Sequence, residues 1–275
     1  MSGPLYGARW GCRAGLRRRA FGHSFPGIVA AVRIAILADI HSNIVAFEAV
    51  LADARKQGGF DRLWCLGDTV GYGPRPNECV DLLRSLDHVS VAGNHDWAAV
   101  GRASLALFNA DAAACCRWSG EQLTGENRRY LEGLEPVVHN GDFTMVHGSL
   151  RDTIWEYLVH EEAAEASFQR LSTRYLLVGH SHLPLLFEEV PGRKVLYGVL
   201  QEEVPLLLGP ARLILNPGGV GQPRDGDPRA AYALYDTEAN LVHYRRVPYE
   251  VATVQKEVRG LGLPPRIADR LAFGW

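Results

Sequence analysis

A chain of 275 residues with 47% hydrophobic content can bury a sizeable core, and its length suits one α/β domain with appendages. A formal charge of −2 and scattered aromatic residues leave no broad basic face for nucleic acid, and no apolar run approaches the roughly 20 residues that span a bilayer. Five cysteines (Cys12, Cys65, Cys79, Cys115 and Cys116) form an odd set without metal-site spacing, which suits a reducing, cytoplasmic setting better than a disulfide framework. Cys65 and Cys79 are expected in the core.

Residues 1–31 differ in kind from the rest. No acidic residue occurs before Asp39, while Arg9, Arg13, Arg17, Arg18 and Arg19 are basic. Arg18-Arg19 followed by a short apolar stretch loosely imitates a twin-arginine signal, but that stretch runs straight into the first strand. The segment is expected to be a disordered tail or an over-long gene start, with one domain over 32–275.

Strand-like runs at 33–38, 62–66, 89–92, 143–146 and 174–178 each end in a metal-binding residue type. In order these endings are Asp39-Ile40-His41, Gly67-Asp68, Gly93-Asn94-His95-Asp96, His147-Gly148 and Gly179-His180-Ser181-His182. Helices are expected at 43–57, from the stripe Ile44, Phe47, Val50, Leu51 and Ala54, and at 77–86 after Pro74-Arg75-Pro76. Residues 97–134 are expected to be mostly helical, with a break at 123–125 and a stop at Pro136. The stripe Leu105, Phe108, Ala112 is assigned to core packing. Loop at 151–159 and helix at 160–171 follow.

From Leu183 the texture changes to short strands separated by Pro and Gly, at 185–190, 194–201, 204–208, 212–215, 231–236 and 241–246. This half is expected to supply a second sheet. Helices at 250–259 and 266–272 close the chain. Two sheets face to face with helices outside define an α/β class, a four-layer α/β/β/α sandwich of two mixed sheets.

If the chain is extended at Asp39-x-His41 and His180-x-His182, the paired side chains share an orientation. One such pair means little, but five of the ten histidines fall at these strand ends. The pattern D-x-H, G-D, G-N-H-D, H, G-H-x-H resembles the calcineurin-like metallophosphoesterase superfamily over residues 33–236. The resemblance implies that Asp39, His41, Asp68 and His182 bind one metal and Asp68, Asn94, His147 and His180 a second, with Asp68 bridging. Carboxylate, amide and imidazole donors suit manganese, iron, zinc, cobalt or nickel, with manganese the foremost. Two divalent ions bring four positive charges and two carboxylates cancel two, so an excess faces a phosphate and activates a water as hydroxide.

His95 is the candidate proton donor or charge stabiliser at the leaving oxygen, and Asp96 either orients it or fills an interior polar role. Protein serine/threonine phosphatases continue the second motif as G-D-x-x-D-R-G, which Gly67-Asp68-Thr69-Val70-Gly71-Tyr72-Gly73 does not. The stretches 71–78 and 216–224 look instead like small prokaryotic phosphodiesterases grouped with diadenosine tetraphosphate hydrolases. Asn94 and Arg224 are the candidate substrate contacts, and Tyr72 is a candidate base-stacking or rim residue. The expected function is hydrolysis of a small phosphodiester, a nucleotide or dinucleoside polyphosphate among them. The alternatives are a phosphomonoesterase or a non-catalytic scaffold of the same fold, such as the retromer subunit. No membrane partner is expected and a nucleic-acid partner is unsupported.

Overall fold

A computed structural model describes residues 32–190, 192 and 195–275, so the expected N-terminal tail lies outside the described residues. The chain begins as a βαβαβ unit: β1 (Arg33–Leu37), α1 (Ile44–Lys56), β2 (Arg62–Cys65), α2 (Pro76–Arg84) and β3 (His88–Ser90). Helix α1 forms where its apolar stripe predicts it, and starts because the Asn43 side chain accepts the Ala46 N–H at 3.1 Å. Pro76 opens α2, where a missing N–H costs nothing. Strand β1 alternates strictly. Ile34 and Ile36 face one core cluster while Ala35 and Leu37 face another under α1 and α2. A one-residue slip would exchange both sets, and each fully buried Ile or Leu is worth about 1.5–3 kcal/mol, so the register is firmly held.

Next come α3 (Asn94–Ala99), a 3-10 turn at Leu105–Leu107, α4 (Ala110–Gln122) and α5 (Gly125–Glu132). The break expected at 123–125 separates α4 from α5, but the mostly helical stretch expected from residue 97 is corrected before α4. Gly101 takes φ 82°, and Ser104 and Asn109 each turn a side chain onto a following N–H, so the chain restarts twice before α4. Strands β4 (Val137–Asn140) and β5 (Phe143–Val146) form a hairpin that sequence reasoning half missed, with Asn140 opposite Phe143 around Gly141-Asp142. Helix α6 (Glu161–Phe168) and strands β6 (Tyr175–Leu177), β7 (Leu185–Glu188), β8 (Leu196–Val199), β9 (Leu206–Leu207) and β10 (Leu213–Leu215) follow. The chain ends with the hairpin β11 (Ala230–Asp236) and β12 (Leu241–Val247), then α7 (Val251–Gly260) and α8 (Pro265–Arg270).

One sheet runs β3-β2-β1-β11-β12-β9 and the other β4-β5-β6-β10-β7-β8. Each mixes parallel and antiparallel pairs. Side chains of both sheets, Ile36, Trp64, Met145 and Leu215 among them, share the core between them, and helices cover the outer faces, giving the α/β/β/α sandwich. The expectation that the chain beyond Leu183 supplies the second sheet is corrected. That sheet already contains β4, β5 and β6, while β11 crosses back to pair with β1, Ile34 opposite Tyr235. The reason is visible in β11: Ala231, Ala233 and Tyr235 face the inter-sheet core, and Ala230, Tyr232 and Leu234 face the α1 side. A strand apolar on both faces belongs in the middle of a covered sheet. Among the described residues no helix is long and apolar enough to cross a membrane.

Candidate metal centre and active site

The candidate ligands all stand just beyond the carboxyl ends of parallel strands: Asp39 and His41 after β1, Asp68 after β2, Asn94 after β3, His147 after β5, and His180 and His182 after β6. The loops that carry them are sewn together by backbone bonds. Asp39 N–H donates to Gly67 C=O at 3.1 Å, His41 N–H to Asp68 C=O at 2.9 Å, and Gly179 N–H to His147 C=O at 2.9 Å.

These loops are not extended, which corrects the alternation argument for Asp39-x-His41 and His180-x-His182. Of the eight non-glycine residues with positive φ among the described residues, five are Asp39, His41, Asp68, His180 and His182, at 50–64°. Left-handed backbone at such residues costs of order 1 kcal/mol or more each and persists only where surroundings over-determine it. Tight turns, not a shared strand face, converge the side chains. Gly93 permits a close approach, since a Cβ there would lie 2.0 Å from Asp68 Oδ1.

The ligand atoms form two groups with Asp68 between them. In the first, His182 Nε2 is 3.3 Å and His41 Nε2 3.9 Å from Asp39 Oδ1, and the two imidazole nitrogens are 3.1 Å apart. In the second, His147 Nε2 lies 3.0 Å from Asn94 Oδ1 and 3.1 Å from His180 Nδ1. Asp68 Oδ2 reaches both, at 3.7 Å from His41 Nε2 and 3.3 Å from His147 Nε2. All seven residues are buried.

Each histidine turns its other nitrogen to a backbone carbonyl: His41 to Val70 at 3.1 Å, His147 to Leu66 at 2.8 Å, His180 to Trp155 at 3.1 Å and His182 to Gln222 at 2.5 Å. An N–H donated to a carbonyl leaves the facing nitrogen as a lone pair, which is the form a metal ligand takes. Four imidazole nitrogens, two carboxylates and an amide oxygen turned toward one another, with Asp39 Oδ2 buried and lacking any hydrogen-bond partner among the described residues, fit divalent cations.

The electrostatics agree for three of the four rings, His147 being the exception. Burial drives His41 and His182 well below the ordinary imidazole range and His180 down to about 3, so these rings are neutral donors. Burial also acts on His147, but the Asp68 carboxylate outweighs it and lifts the ring to about 9. Asp68 itself is held well below the usual carboxylate range, because His147, His95 and His41 together outweigh its burial. Asp39 goes the other way, pushed up to about 7 by burial, with the Asp68 charge adding to the rise.

Asp96 does not reach the His95 ring. Its Oδ2 accepts the N–H of Asp68 at 2.8 Å and of Gly93 at 3.0 Å, and its Oδ1 accepts the Val70 N–H at 3.1 Å. Burial and the Asp68 charge push Asp96 up to about 7 against the pull of these donors. The orienting role is thereby corrected to the interior polar one: Asp96 clamps the loop after β2 to the loop after β3.

A cavity of about 230 Å³ opens beside the cluster. Asn94, His95 and His180 reach its floor, Phe108, Trp155 and Tyr157 form aromatic walls, and Arg224 supplies a cation. Tyr157 lies flat on the His180 ring, with centroids 4.0 Å apart. Arg224 points inward, its Nη2 3.2 Å from Gln222 Oε1 and 3.4 Å from the Tyr72 hydroxyl. Its acidic neighbours are engaged elsewhere, Asp225 with Arg246 and Asp227 with Arg229. Tyr72 is buried edge-on against His41, with centroids 4.7 Å apart, and lines the cavity beneath Arg224.

Sequence reasoning missed Trp155 and Tyr157, although two aromatic residues in a loop just after a ligand histidine are a usable signal. It also placed Phe108 and Ala112 wholly in the core. Both line the cavity, because the restart after residue 101 swings this segment over the site.

With this geometry in place, the family follows. Residues 32–240 match the calcineurin-like phosphoesterase superfamily domain, and the chain belongs to that family of divalent-metal-dependent phosphoric ester hydrolases. It is 34% identical over 247 residues to the uncharacterized protein MJ0912 of Methanocaldococcus jannaschii, covering 88% of this chain and 98% of that one. The crystal structure of a metallophosphoesterase from Sphaerobacter thermophilus is 46% identical, with TM-score 0.82 over 90% of this chain and 100% of the other. The hypothetical protein PH1004 of Pyrococcus horikoshii shares the fold at 20% identity, with TM-score 0.72 over 89% of this chain and 99% of its own.

Proposed function

We propose that this chain is a dinuclear-metal phosphodiesterase, with manganese the foremost ion and iron, zinc, cobalt and nickel also suited to the donors. The observation that carries the reading is the position of Asp68 Oδ2 between two groups of ligand atoms. Asp39, His41, Asp68 and His182 would hold one cation, and Asp68, Asn94, His147 and His180 the other. Bound there, the pair would supply Lewis acidity to a phosphoryl oxygen and bring the pKa of a water toward neutrality.

The chain's own residues do the rest. Asn94 binds as a neutral amide and leaves the local positive excess uncancelled, which favours an anionic substrate. The Arg224 guanidinium can pair with a non-bridging phosphate oxygen. His95, beside Asn94 in the cavity floor, meets the leaving oxygen with an N–H. Asp96 keeps Asp68 and the loop after β3 in register.

Diesters are favoured over monoesters because the aromatic walls adjoin the phosphate position and offer an apolar surface to a second ester group. The same walls support a nucleotide substrate, dinucleoside polyphosphates among them, since a base can stack on an aromatic ring. Four free buried thiols among the described residues fit the cytoplasm.

The test is a screen of the manganese-loaded protein with bis-p-nitrophenyl phosphate, p-nitrophenyl phosphate, cyclic nucleotides and dinucleoside polyphosphates. The diester is expected to turn over faster than the monoester. A strong preference for the monoester would overturn the diesterase assignment.

A further inference from the structure

The two nitrogens of His95 face different surroundings. Nδ1 is the inner end: the Cys116 sulfur, on α4, lies 3.0 Å from it, and a Cβ on Gly71 would fall 2.3 Å from the same atom. Gly71, at φ 94°, thus leaves the space that this edge of the ring fills. Aromatic rings hold the remainder, with Phe108 edge-on at 4.9 Å, His41 edge-on at 4.7 Å and Tyr72 tilted at 4.4 Å between centroids. Among the described residues Cys116 is the one side chain hydrogen-bonded to this imidazole, since the Asp96 carboxylate is spent on three backbone N–H groups. Nε2 is the nitrogen left for the cavity that His95 lines.

We propose that the Cys116 thiol is the positioning residue for His95, holding Nδ1 so that Nε2 carries a hydrogen toward the leaving-group oxygen. The proposal rests on the reading of His95 as the group that meets that oxygen. A thiol is suited to the task because it is both a weak donor and a weak acceptor. Against a neutral ring, S–H donates to Nδ1 and the ring proton stays on Nε2. Against an imidazolium, Nδ1–H donates to the sulfur and Nε2–H remains free. Burial keeps the ring neutral, its pKa down to about 4, so Nε2–H serves the leaving oxygen as a hydrogen-bond donor with Nδ1 held by the thiol. Burial pushes the Cys116 thiol up, with the Asp68 charge adding to the rise, so it stays uncharged at neutral pH. A carboxylate in its place would cancel part of the positive excess that favours phosphate.

The test uses the full chain with Cys116→Ala, Cys116→Ser and His95→Ala, assayed on bis-p-nitrophenyl phosphate and on diphenyl phosphate, a diester of similar shape with a poorer leaving group. Cys116→Ala is expected to keep its metals and KM, lose about 3–10-fold in kcat on diphenyl phosphate, the size of one net hydrogen bond, and lose less than twofold on the nitrophenyl ester. Cys116→Ser keeps an O–H at the position and is expected to recover most of the loss; it carries the test if the alanine variant folds poorly. Long-range 1H–15N NMR of the zinc-loaded protein is expected to show His95 protonated on Nε2 in the parent and in Cys116→Ser, and a tautomer mixture in Cys116→Ala. Equal losses on both esters, or an unchanged tautomer in Cys116→Ala, would overturn the positioning role. Should His95→Ala itself lack a leaving-group-dependent loss, the reading of His95 fails and the proposal with it. A loss in His95→Ala without one in Cys116→Ala overturns the proposal alone.

Discussion

Replacing Asp96 separates two accounts of one carboxylate. In the structure its two oxygens accept three buried backbone N–H groups, from Asp68, Gly93 and Val70, at 2.8–3.1 Å. Asp96→Ala removes both acceptor oxygens at once and leaves the three buried donors without them. A bond to an ionised acceptor contributes about 1.5–3 kcal/mol, and an abandoned buried donor costs about 1–3 kcal/mol. Because the three share one carboxylate, the sum is not additive, and a net loss of about 3–5 kcal/mol is expected, at the top of the range for single substitutions. At about 2–4 °C per kcal/mol for a domain of this size, the melting temperature should fall by roughly 6–20 °C. Asp96→Asn keeps the shape and one acceptor oxygen but turns an NH2 toward a donor, so an intermediate fall is expected. Differential scanning calorimetry on the metal-free and metal-loaded proteins reads both. A stability unchanged within about 1 kcal/mol, together with a turnover loss confined to poor leaving groups, would refute the clamp and restore Asp96 as the group that orients His95.

His95→Ala should retain both metals yet lose about 10²–10⁴ in turnover on poor leaving groups, with the loss shrinking for p-nitrophenolate; steady-state kinetics on the ester pair decides it. Asp68→Ala should weaken both metal positions, whereas His41→Ala weakens one and His147→Ala the other; metal analysis by mass spectrometry would go against the shared carboxylate if the Asp68 variant bound two ions at full affinity. Removing residues 1–31 should leave metal content and activity unchanged and move the melting temperature by less than about 2 °C. The chain from Val32 onward keeps its tie, since Val32 N–H donates to Thr237 Oγ1 at 3.0 Å. A fall of many degrees would make the tail part of the core.

The convergence of the candidate ligands was legible because a residue at the end of a buried strand has one place to go in an open α/β sheet. His41, His147 and His182 stood out by sequence position alone, and the strands leading to them were found within a residue or two. The backbone that aims them was not legible. Left-handed φ at Asp39 and His41 goes with backbone bonds to loops far along the chain, and no local pattern announces it. The same distance hides the Cys116–His95 contact and the cover that Phe108 and Trp155 give the cavity, each made between elements that local periodicity treats separately. Strand β11 was found as a strand but assigned to the wrong sheet, although its two apolar faces, AAYALYD, asked for a central place beside β1.

The central claim is a pair of cations sharing Asp68, and anomalous diffraction at the manganese edge from manganese-loaded crystals tests it most directly. The account predicts two peaks about 3.5–4 Å apart, one among Asp39, His41 and His182, the other among Asn94, His147 and His180, with the Asp68 carboxylate between them. A single peak at saturating manganese, or two peaks with Asp68 bound to one alone, would contradict it.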